Sequence, residues 1–236
     1  MPRKAIERSR DNYYHITARS NNREFFFLPM DEVWEVMNTK IEHLQREHAI
    51  RIAAFVLMNN YFHLLVLTPN LDIDRLMYFF MKGVTLENQK RTKRINKIFG
   101  GRYKGSMIDS YAYLVNVYKY IYRNPVEAKI VARAESYLYS SLHFKNKIDN
   151  RMSFQLERVL PHFAFDKYEN LNELEWINQS FSQPEAKSIK TGLQKTTFSY
   201  EKDRATGKPI VPKVDHPLKK SQDELWKEMF PEVVLS

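Results

Sequence analysis

The chain has 236 residues, of which 43% are hydrophobic, and it contains no cysteine. This length suits one domain with an extension, or two small domains. The lack of cysteine excludes a disulfide framework, a zinc site built on thiolates and a thiol nucleophile. No run of about 18 apolar residues exists, and no apolar leader follows Met1, so the sequence predicts a cytoplasmic protein without membrane spans.

The formal net charge of +9 is concentrated in the first part of the chain. Residues 151–236 hold 13 Lys+Arg and 13 Asp+Glu, so residues 1–150 hold 24 and 15 and carry the whole excess. A basic excess confined to one part of a chain favours an acidic partner, most often nucleic acid. A basic protein that is charged only for solubility is the alternative interpretation.

Apolar periodicity and turn residues predict an ordered series of elements in the first 150 residues. In chain order these are a strand at Tyr13–Arg19, a turn at Ser20–Arg23, a helix from Asp31 to about His48, strands at Arg51–Met58 and Phe62–Thr68 around the turn Asn59–Tyr61, a helix from Asp72 to about Arg94, a strand near Ser106–Ile108 and a helix from Ser110 to about Arg123. Asp31 and Ser110 are expected to cap their helices, and Pro125 to end the last one. This order favours an α+β, ferredoxin-like sandwich with a four-stranded antiparallel sheet and helices on it.

Residues 151–236 differ from the first part because their charges balance and six prolines interrupt them. Apolar spacing predicts one helix near Leu171–Phe181 and another near Gln222–Phe230. The sequence therefore predicts a first domain at 1–150 and a partly helical C-terminal extension at 151–236.

Three ordered motifs, and a segment after the last, carry a resemblance to a known family. They are Tyr14–Arg23, Ala54–Leu65, Gly101–Lys104 with Tyr120–Ala128, and finally Ser136–Ser141. With these motifs the chain resembles the HUH single-tyrosine transposases of the REP-associated kind over roughly residues 1–145. Several ordered motifs in one chain are far more specific than any single one. The resemblance implies that residues 1–150 form a transposase-like catalytic and DNA-binding domain.

The resemblance also implies a chemistry in which a tyrosine attacks a DNA phosphodiester and forms a 5′-phosphotyrosine link. Matching the motifs residue by residue makes Tyr120 the nucleophile. A divalent ion, Mg²⁺ or Mn²⁺, is held in the family by two histidines and one amide, and His63 and Asn124 match two of these positions. Tyr61 stands where the family has its first histidine, and a phenol with a pKa of about 10 is a poor ligand. His15, on a neighbouring strand, is a possible substitute.

Three functions follow as competing expectations. The first is an active tyrosine transposase or DNA nuclease that cleaves and rejoins single-stranded or hairpin DNA, as a monomer or homodimer. The second is a descendant that binds such DNA without cleaving it, because the loss of a direct ligand weakens a metal site. The third is an RNA-binding ferredoxin-like domain, since similar sheets bind RNA by aromatic stacking.

Candidate DNA-contacting residues lie in two segments. Lys82–Lys104 holds eight Lys/Arg against the single acid Glu87. Such a stretch suits a surface that follows phosphates, and a solvated helix face is the alternative interpretation. The candidates are Lys90, Arg91, Lys93, Arg94, Arg102 and Lys104 here, together with Arg19, Asn22 and Arg23 after the first strand. Phe99 and the clustered tyrosines could stack on unpaired bases, but an aromatic-rich helix such as the one holding Tyr120 is usually core packing.

Overall fold

One four-stranded antiparallel sheet, in the order β2-β3-β1-β4, organises the protein. The structure is a computed structural model and describes residues 6–70, 72–95, 97–145, 151–160 and 173–212. The strands are β1 Tyr13–Arg19, β2 Arg51–Met58, β3 Tyr61–Leu67 and β4 Lys104–Ile108. The helices are α1 Met30–His48, α2 Ile73–Thr92, α3 Tyr111–Glu127, α4 Ser141–Phe144, α5 Glu173–Asn178 and α6 Gln183–Gly192. The predicted α+β fold is therefore confirmed.

Alternation along the strands divides the side chains between two faces of the sheet, as the pleat of a strand requires. On one face Ile16, Phe55, Phe62 and Leu64 pack against α1 and α2 in an apolar core. We call this the apolar face. The opposite face packs against α3 through a second apolar cluster, and we call it the polar face because it includes the two buried histidines of β1 and β3.

Several predicted boundaries shift by a few residues. Helix α1 begins at Met30 with Pro29 in the capping position, so the prediction that Asp31 caps it is wrong, and Asp31 lies in the first turn. Strand β3 begins at Tyr61, which was predicted to lie in the turn, because Tyr61 pairs with Arg19 across the sheet. The Ser110 side chain does accept from the backbone N–H of Tyr113, so its predicted capping role is confirmed.

The prediction that Pro125 ends the third helix is wrong, since α3 continues through it to Glu127. A proline lacks an N–H and leaves the carbonyl four residues earlier without its helical partner. Here that carbonyl belongs to Ile121, and the Asn124 side-chain nitrogen donates to it at 3.4 Å and to the Tyr120 carbonyl at 2.8 Å. The Asn124 amide thus stabilises the helix where proline would otherwise break it.

The later part of the chain packs against the same sheet and helix. Residues 151–160 run beside β2, where the N–H of Glu157 donates to the Ile52 carbonyl at 2.7 Å. Phe198 and Tyr200 pack on α3 through Tyr113. The predicted domain boundary near residue 150 stays a prediction.

Two helices, α5 and α6, belong to this later part. Helix α5 lies within the helix predicted near Leu171–Phe181, whereas the helix predicted near Gln222–Phe230 falls outside the described residues. Helix α6 was not predicted, although Ser182 and Glu185 have the spacing of a capping box and the Ser182 N–H donates to the Glu185 carboxylate at 2.7 Å. Among the helices of the described ranges, none is long and apolar enough to cross a membrane.

Candidate functional site

Three predicted site residues meet on the polar face of the sheet. His63 projects from β3 toward α3, where its Nε2 lies 3.1 Å from Oδ1 of Asn124. Tyr120 is one helical turn before Asn124, and its ring centroid lies 6.2 Å from that of His63 in an edge-on arrangement. Residues four apart share a helix face, so α3 presents Tyr120 and Asn124 together to the histidine. The structure thus brings together the three residues that the sequence selected from separate motifs.

His15 extends this cluster into the sheet instead of replacing the missing histidine. Its Nε2 lies 2.8 Å from Nδ1 of His63, on the side of the His63 ring opposite to Asn124. Because the Asn124 nitrogen is engaged by helix carbonyls, its oxygen faces His63 as an acceptor. With both rings neutral, His63 donates from Nε2 to Asn124, and His15 donates from Nε2 to His63. His15 is therefore placed to orient His63, a role that strand alternation alone did not indicate.

Burial sets the protonation states in this cluster. Burial lowers the pKa of His63 to about 4, and it also lowers the pKa of His15, which is completely enclosed and faces His63. Burial, helped by the neighbouring Tyr61 and Glu127, raises the pKa of Tyr120 to about 12. At neutral pH both histidines are uncharged and Tyr120 keeps its proton, so a reaction of its oxygen requires stabilisation of the phenolate.

Tyr61 and Arg19 form the outer edge of the cluster. They are directly opposite each other in the β1–β3 register, and the guanidinium carbon of Arg19 lies 5.2 Å from the Tyr61 ring centroid. The Tyr61 ring also meets that of His63 edge-on, with centroids 5.3 Å apart. Burial raises the pKa of Tyr61 although the nearby Arg19 opposes this effect, so its hydroxyl stays protonated. Tyr61 therefore holds a cation on its face by a cation–π contact and offers no anionic ligand.

The donors present fit a divalent ion only in part. In the described part of the chain, no group of three or more His, Asp or Glu side chains is placed to hold a metal ion. His63 Nε2 and Asn124 Oδ1 lie 3.1 Å apart, close enough that both could contact one divalent ion. An ion bound to Nε2 of His63 would require the His63 proton to lie on Nδ1. From there it could donate a hydrogen bond to Nε2 of His15. His63 and Asn124 therefore suit two neighbouring ligand positions, and Tyr61 adds no third ligand.

A basic groove begins beside this cluster. It has a volume of about 700 Å³ and is lined by the end of β1, the following turn and the loop that leads into β4. Five of the predicted DNA-contacting residues line it, namely Arg19, Asn22, Arg23, Arg102 and Lys104. Thr17, Asn21, Gly100 and Gly101 line it as well and were not selected from the sequence. Arg19 belongs both to this groove and to the edge of the Tyr120 cluster, so it connects the two.

Backbone contacts shape the basic groove. The N–H of Asn21 donates to the Ile98 carbonyl at 2.8 Å, and the N–H of Gly100 donates to the Arg19 carbonyl at 3.0 Å. A Cβ on Gly100 would lie 3.2 Å from the Ser20 carbonyl oxygen, so a residue without a side chain suits this approach. Asn22 has a left-handed backbone with φ 53°, which asparagine tolerates in a turn. The turn is therefore held in place before any ligand binds.

The basic residues at the end of α2 lie in a different environment. Arg91 makes ion pairs with Glu32, Glu35 and Glu87, which tie α2 to α1. Arg94 stacks on Phe27, with its guanidinium carbon 3.7 Å from the ring centroid. Lys90 and Lys93 are exposed, and Lys93 ends the helix in a left-handed conformation. None of these four residues lines the basic groove.

The fold resembles that of a solved transposase. This protein is described as a REP-associated tyrosine transposase bound to a REP hairpin; it is 16% identical, with 68% of this chain and 94% of that chain covered and a TM-score of 0.52. Another, a putative transposase from Deinococcus radiodurans R1, is 13% identical over 55% of this chain and 91% of that chain, with a TM-score of 0.35. At this identity the first likeness shows the fold alone. No curated protein matches the chain significantly.

The family is identified by the sequence of the region that contains the site. Residues 9–124 match the family model described as Transposase IS200 like. This range includes Tyr61, His63, Tyr120 and Asn124, and it begins before β1 and ends within α3. The family predicted from the ordered motifs is confirmed: through residues 9–124, the chain belongs to the IS200-like transposase family.

Proposed function

We propose that this protein binds single-stranded or hairpin DNA in the basic groove and cleaves and rejoins it through Tyr120. The observation that carries the proposal is the position of Arg19, which lines the groove and also lies on Tyr61 beside His63. A phosphodiester backbone bound in the groove would reach the Tyr120 cluster at this point. The proposed DNA contacts are Arg19, Asn22, Arg23, Arg102 and Lys104, with Lys90, Lys93 and Arg94 as outer contacts.

The proposed reaction balances without a redox partner. The Tyr120 oxygen attacks phosphorus, the bond from phosphorus to the 3′ oxygen breaks, and a 5′-phosphotyrosine link forms. The phenol proton passes to solvent, and the departing 3′ oxygen takes up a proton to become a hydroxyl. Attack by that hydroxyl on the phosphotyrosine reverses the step and rejoins a strand.

The residues around Tyr120 supply position and charge. Arg19 is placed to neutralise the phosphate, and the buried surroundings strengthen each electrostatic contact. His63 and Asn124 would hold a divalent ion, Mg²⁺ or Mn²⁺, which when bound supplies further neutralisation of the phosphate oxygens. His15 keeps the His63 ring oriented through the contact at 2.8 Å.

Two findings support DNA of this kind as the ligand. The chain belongs to a transposase family, and the solved REP-associated tyrosine transposase that shares its fold is bound to a REP hairpin. The groove adds a chemical reason, because basic side chains with flanking aromatic residues suit a flexible single strand.

A second candidate function is DNA binding without cleavage. It is favoured by Tyr61, which removes a ligand, and by the pKa of Tyr120, which burial raises to about 12. In this alternative the basic groove binds hairpin DNA, and the Tyr120 cluster is a remnant that holds the sheet to α3.

Covalent trapping separates the two candidates. Labelled single-stranded hairpin DNA is incubated with the protein and Mn²⁺, and a denaturing gel shows any protein–DNA adduct. We expect an adduct that Tyr120→Phe abolishes and that Tyr113→Phe, on the same helix but packed against Phe198, retains. Hairpin binding on a native gel without any adduct would establish the non-cleaving alternative, and loss of both would refute the proposal.

A further inference from the structure

Helix α5, from the later part of the chain, is attached to α3 at both of its ends. At its beginning, the Tyr118 hydroxyl donates to the Glu173 carboxylate at 2.7 Å. At its end, the Arg123 guanidinium donates to the Asn178 carbonyl at 2.6 Å and to the Ile177 carbonyl at 3.3 Å. The last carbonyls of a helix have no partner within the helix, so the buried Arg123 supplies the hydrogen bonds that α5 lacks.

A buried lysine lies between these two ends. The Lys119 ammonium is 5.0 Å from the Trp176 ring centroid and 4.9 Å from that of Phe181, so two aromatic faces receive it. Lys119 is 6% exposed, and its burial, helped by the neighbouring Arg123, lowers its pKa to about 8. Because a buried cation is stable only with suitably placed partners, this contact restricts how α5 lies on α3.

The last residue of α5 also contacts the segment that follows α3. The N–H of Ala134 donates to the Asn178 side-chain oxygen at 2.9 Å, and the Asn178 side-chain nitrogen donates to the Glu135 carboxylate at 2.7 Å. Arg123 is itself held by Glu127, one turn later on α3, through a hydrogen bond of 2.6 Å. The end of α5 is therefore fixed from two directions.

The contacts with α5 act on the weakest turn of α3. Pro125 leaves the Ile121 carbonyl without its helical partner, and the Asn124 side chain replaces that hydrogen bond only at 3.4 Å. Tyr120 and Asn124 belong to this turn, and Arg123 lies between them in the sequence. The hydrogen bonds from Arg123 to α5 therefore hold, from outside the site, the turn that carries both site residues.

We propose that α5 braces α3, with Arg123 as the positioning residue that keeps Tyr120 and Asn124 directed at His63. A displacement of about 1 Å can cost a reaction about a hundredfold in rate, so such a brace would control the chemical step. The described residues that line the basic groove come from β1, the turn after it and the loop that leads into β4, so the brace would leave DNA binding unchanged. The inference rests on the proposed function and adds to it a role for the later part of the chain.

The test separates the rate of the chemical step from the affinity for DNA. The rate constant of adduct formation is measured with saturating hairpin DNA and Mn²⁺, and the affinity is measured by fluorescence anisotropy in EDTA. For Arg123→Met we expect a rate constant lower by about tenfold to a hundredfold and an affinity within about twofold of the unaltered protein. Arg123→Lys should recover part of the rate, because it keeps a cationic donor.

Two further variants distinguish positioning from general stability. Leu44→Ala alters a buried residue of α1 on the apolar face, so it should lower stability and leave the rate constant unchanged. A loss of stability alone reduces the fraction of protein that reacts, whereas a loss of positioning lowers the rate constant of the folded fraction. Asn178→Ala removes the contacts of α5 with residues 134 and 135 without altering α3, and it should lower the rate constant by a smaller factor than Arg123→Met.

Each failure has a distinct signature. If the unaltered protein forms no adduct, the proposed cleavage falls and the positioning role falls with it. If it forms the adduct and the rate constant is unchanged in Arg123→Met and Asn178→Ala, or falls as far in Leu44→Ala, only the positioning role is overturned. Equal losses of rate and affinity in Arg123→Met would assign α5 to DNA binding and would also overturn it. If Arg123→Met does not fold, Arg123→Lys and Asn178→Ala decide by the same criteria.

Discussion

The two faces of the sheet are made by the same strands and both bury apolar clusters, but they differ in their buried histidines. On the apolar face, Phe55 and Phe62 pack with side chains of α1 and α2 in one apolar cluster. On the polar face, His15 and His63 are equally buried, but each is hydrogen-bonded and the chain of contacts reaches α3. Buried polar groups are expensive without partners, so this face combines stability with a site. We therefore expect substitutions in the apolar clusters to affect folding, and substitutions in the histidine cluster to affect chemistry and protonation.

The largest expected effect is on the apolar face. Phe62 is fully buried and contacts Phe55, Phe80 and Phe99. Phe62→Ala should lower the free energy of unfolding by about 3–5 kcal/mol, because it removes apolar contacts and leaves a cavity. Urea denaturation measures this. Tyr61→Phe, one residue away on the other face, is the control and should change stability by less than about 1 kcal/mol. Equal losses in both variants would contradict the division between the faces.

On the polar face, the expected effect is a dependence of stability on pH. The pKa of His63 is about 4 in the folded protein, whereas an unfolded histidine titrates near 6.5. Between these values the unfolded chain binds a proton that the folded one does not, so stability is lost as the pH falls from about 6.5 toward 4. His63 alone should account for about 3 kcal/mol of this loss.

Unfolding free energies measured from pH 7 to 4.5 check the histidine effect. His63→Gln should flatten the profile, and His43→Gln, which alters an exposed histidine of α1, should leave it unchanged. A profile that is the same in all three proteins would show that His63 is not buried in its neutral form.

A smaller effect is expected for metal binding on the polar face. Tyr61→His should raise the affinity for Mn²⁺ by about tenfold or more, because an imidazole replaces a phenol that keeps its proton. Isothermal titration calorimetry measures the affinity, with Tyr61→Phe as the matched variant that adds no ligand. Unchanged affinity in Tyr61→His would show that His63 and Asn124 do not form the proposed ion site.

The smallest expected effect is on DNA binding, and it compares Arg19 at the basic groove with Arg91 at the end of α2. Arg19→Ala should weaken hairpin binding about fivefold and reduce its salt dependence by about one counterion, because Arg19 lines the basic groove. Arg91→Ala should leave binding within about twofold and lower stability by less than about 1 kcal/mol, since Arg91 is engaged by Glu32, Glu35 and Glu87. Electrophoretic binding assays at two salt concentrations check both. Equal losses of binding would show that Arg91 also contacts DNA.

The sequence by itself determined the family and the order of the elements, and it predicted Tyr120, His63 and Asn124, which the fold brings together. Alternating apolar residues define β1, β2 and β3, and the motif around Tyr120 and Asn124 identifies the family. These features are local, since they depend on strand and helix periodicity and on motif spacing. Pro125 shows where local rules fail, because the amide of Asn124 satisfies a carbonyl that the proline leaves free.

Only the tertiary structure decided which polar and charged residues act together. It placed His15 behind His63 instead of in the position of the missing histidine, and it separated the engaged Arg91 from Arg19 at the groove. It also created the basic groove, whose lining comes from the end of β1 and from a loop about 80 residues later. These pairings are contacts between segments that are distant in the sequence, so local patterns do not predict them. They decide whether a side chain is free to contact a ligand.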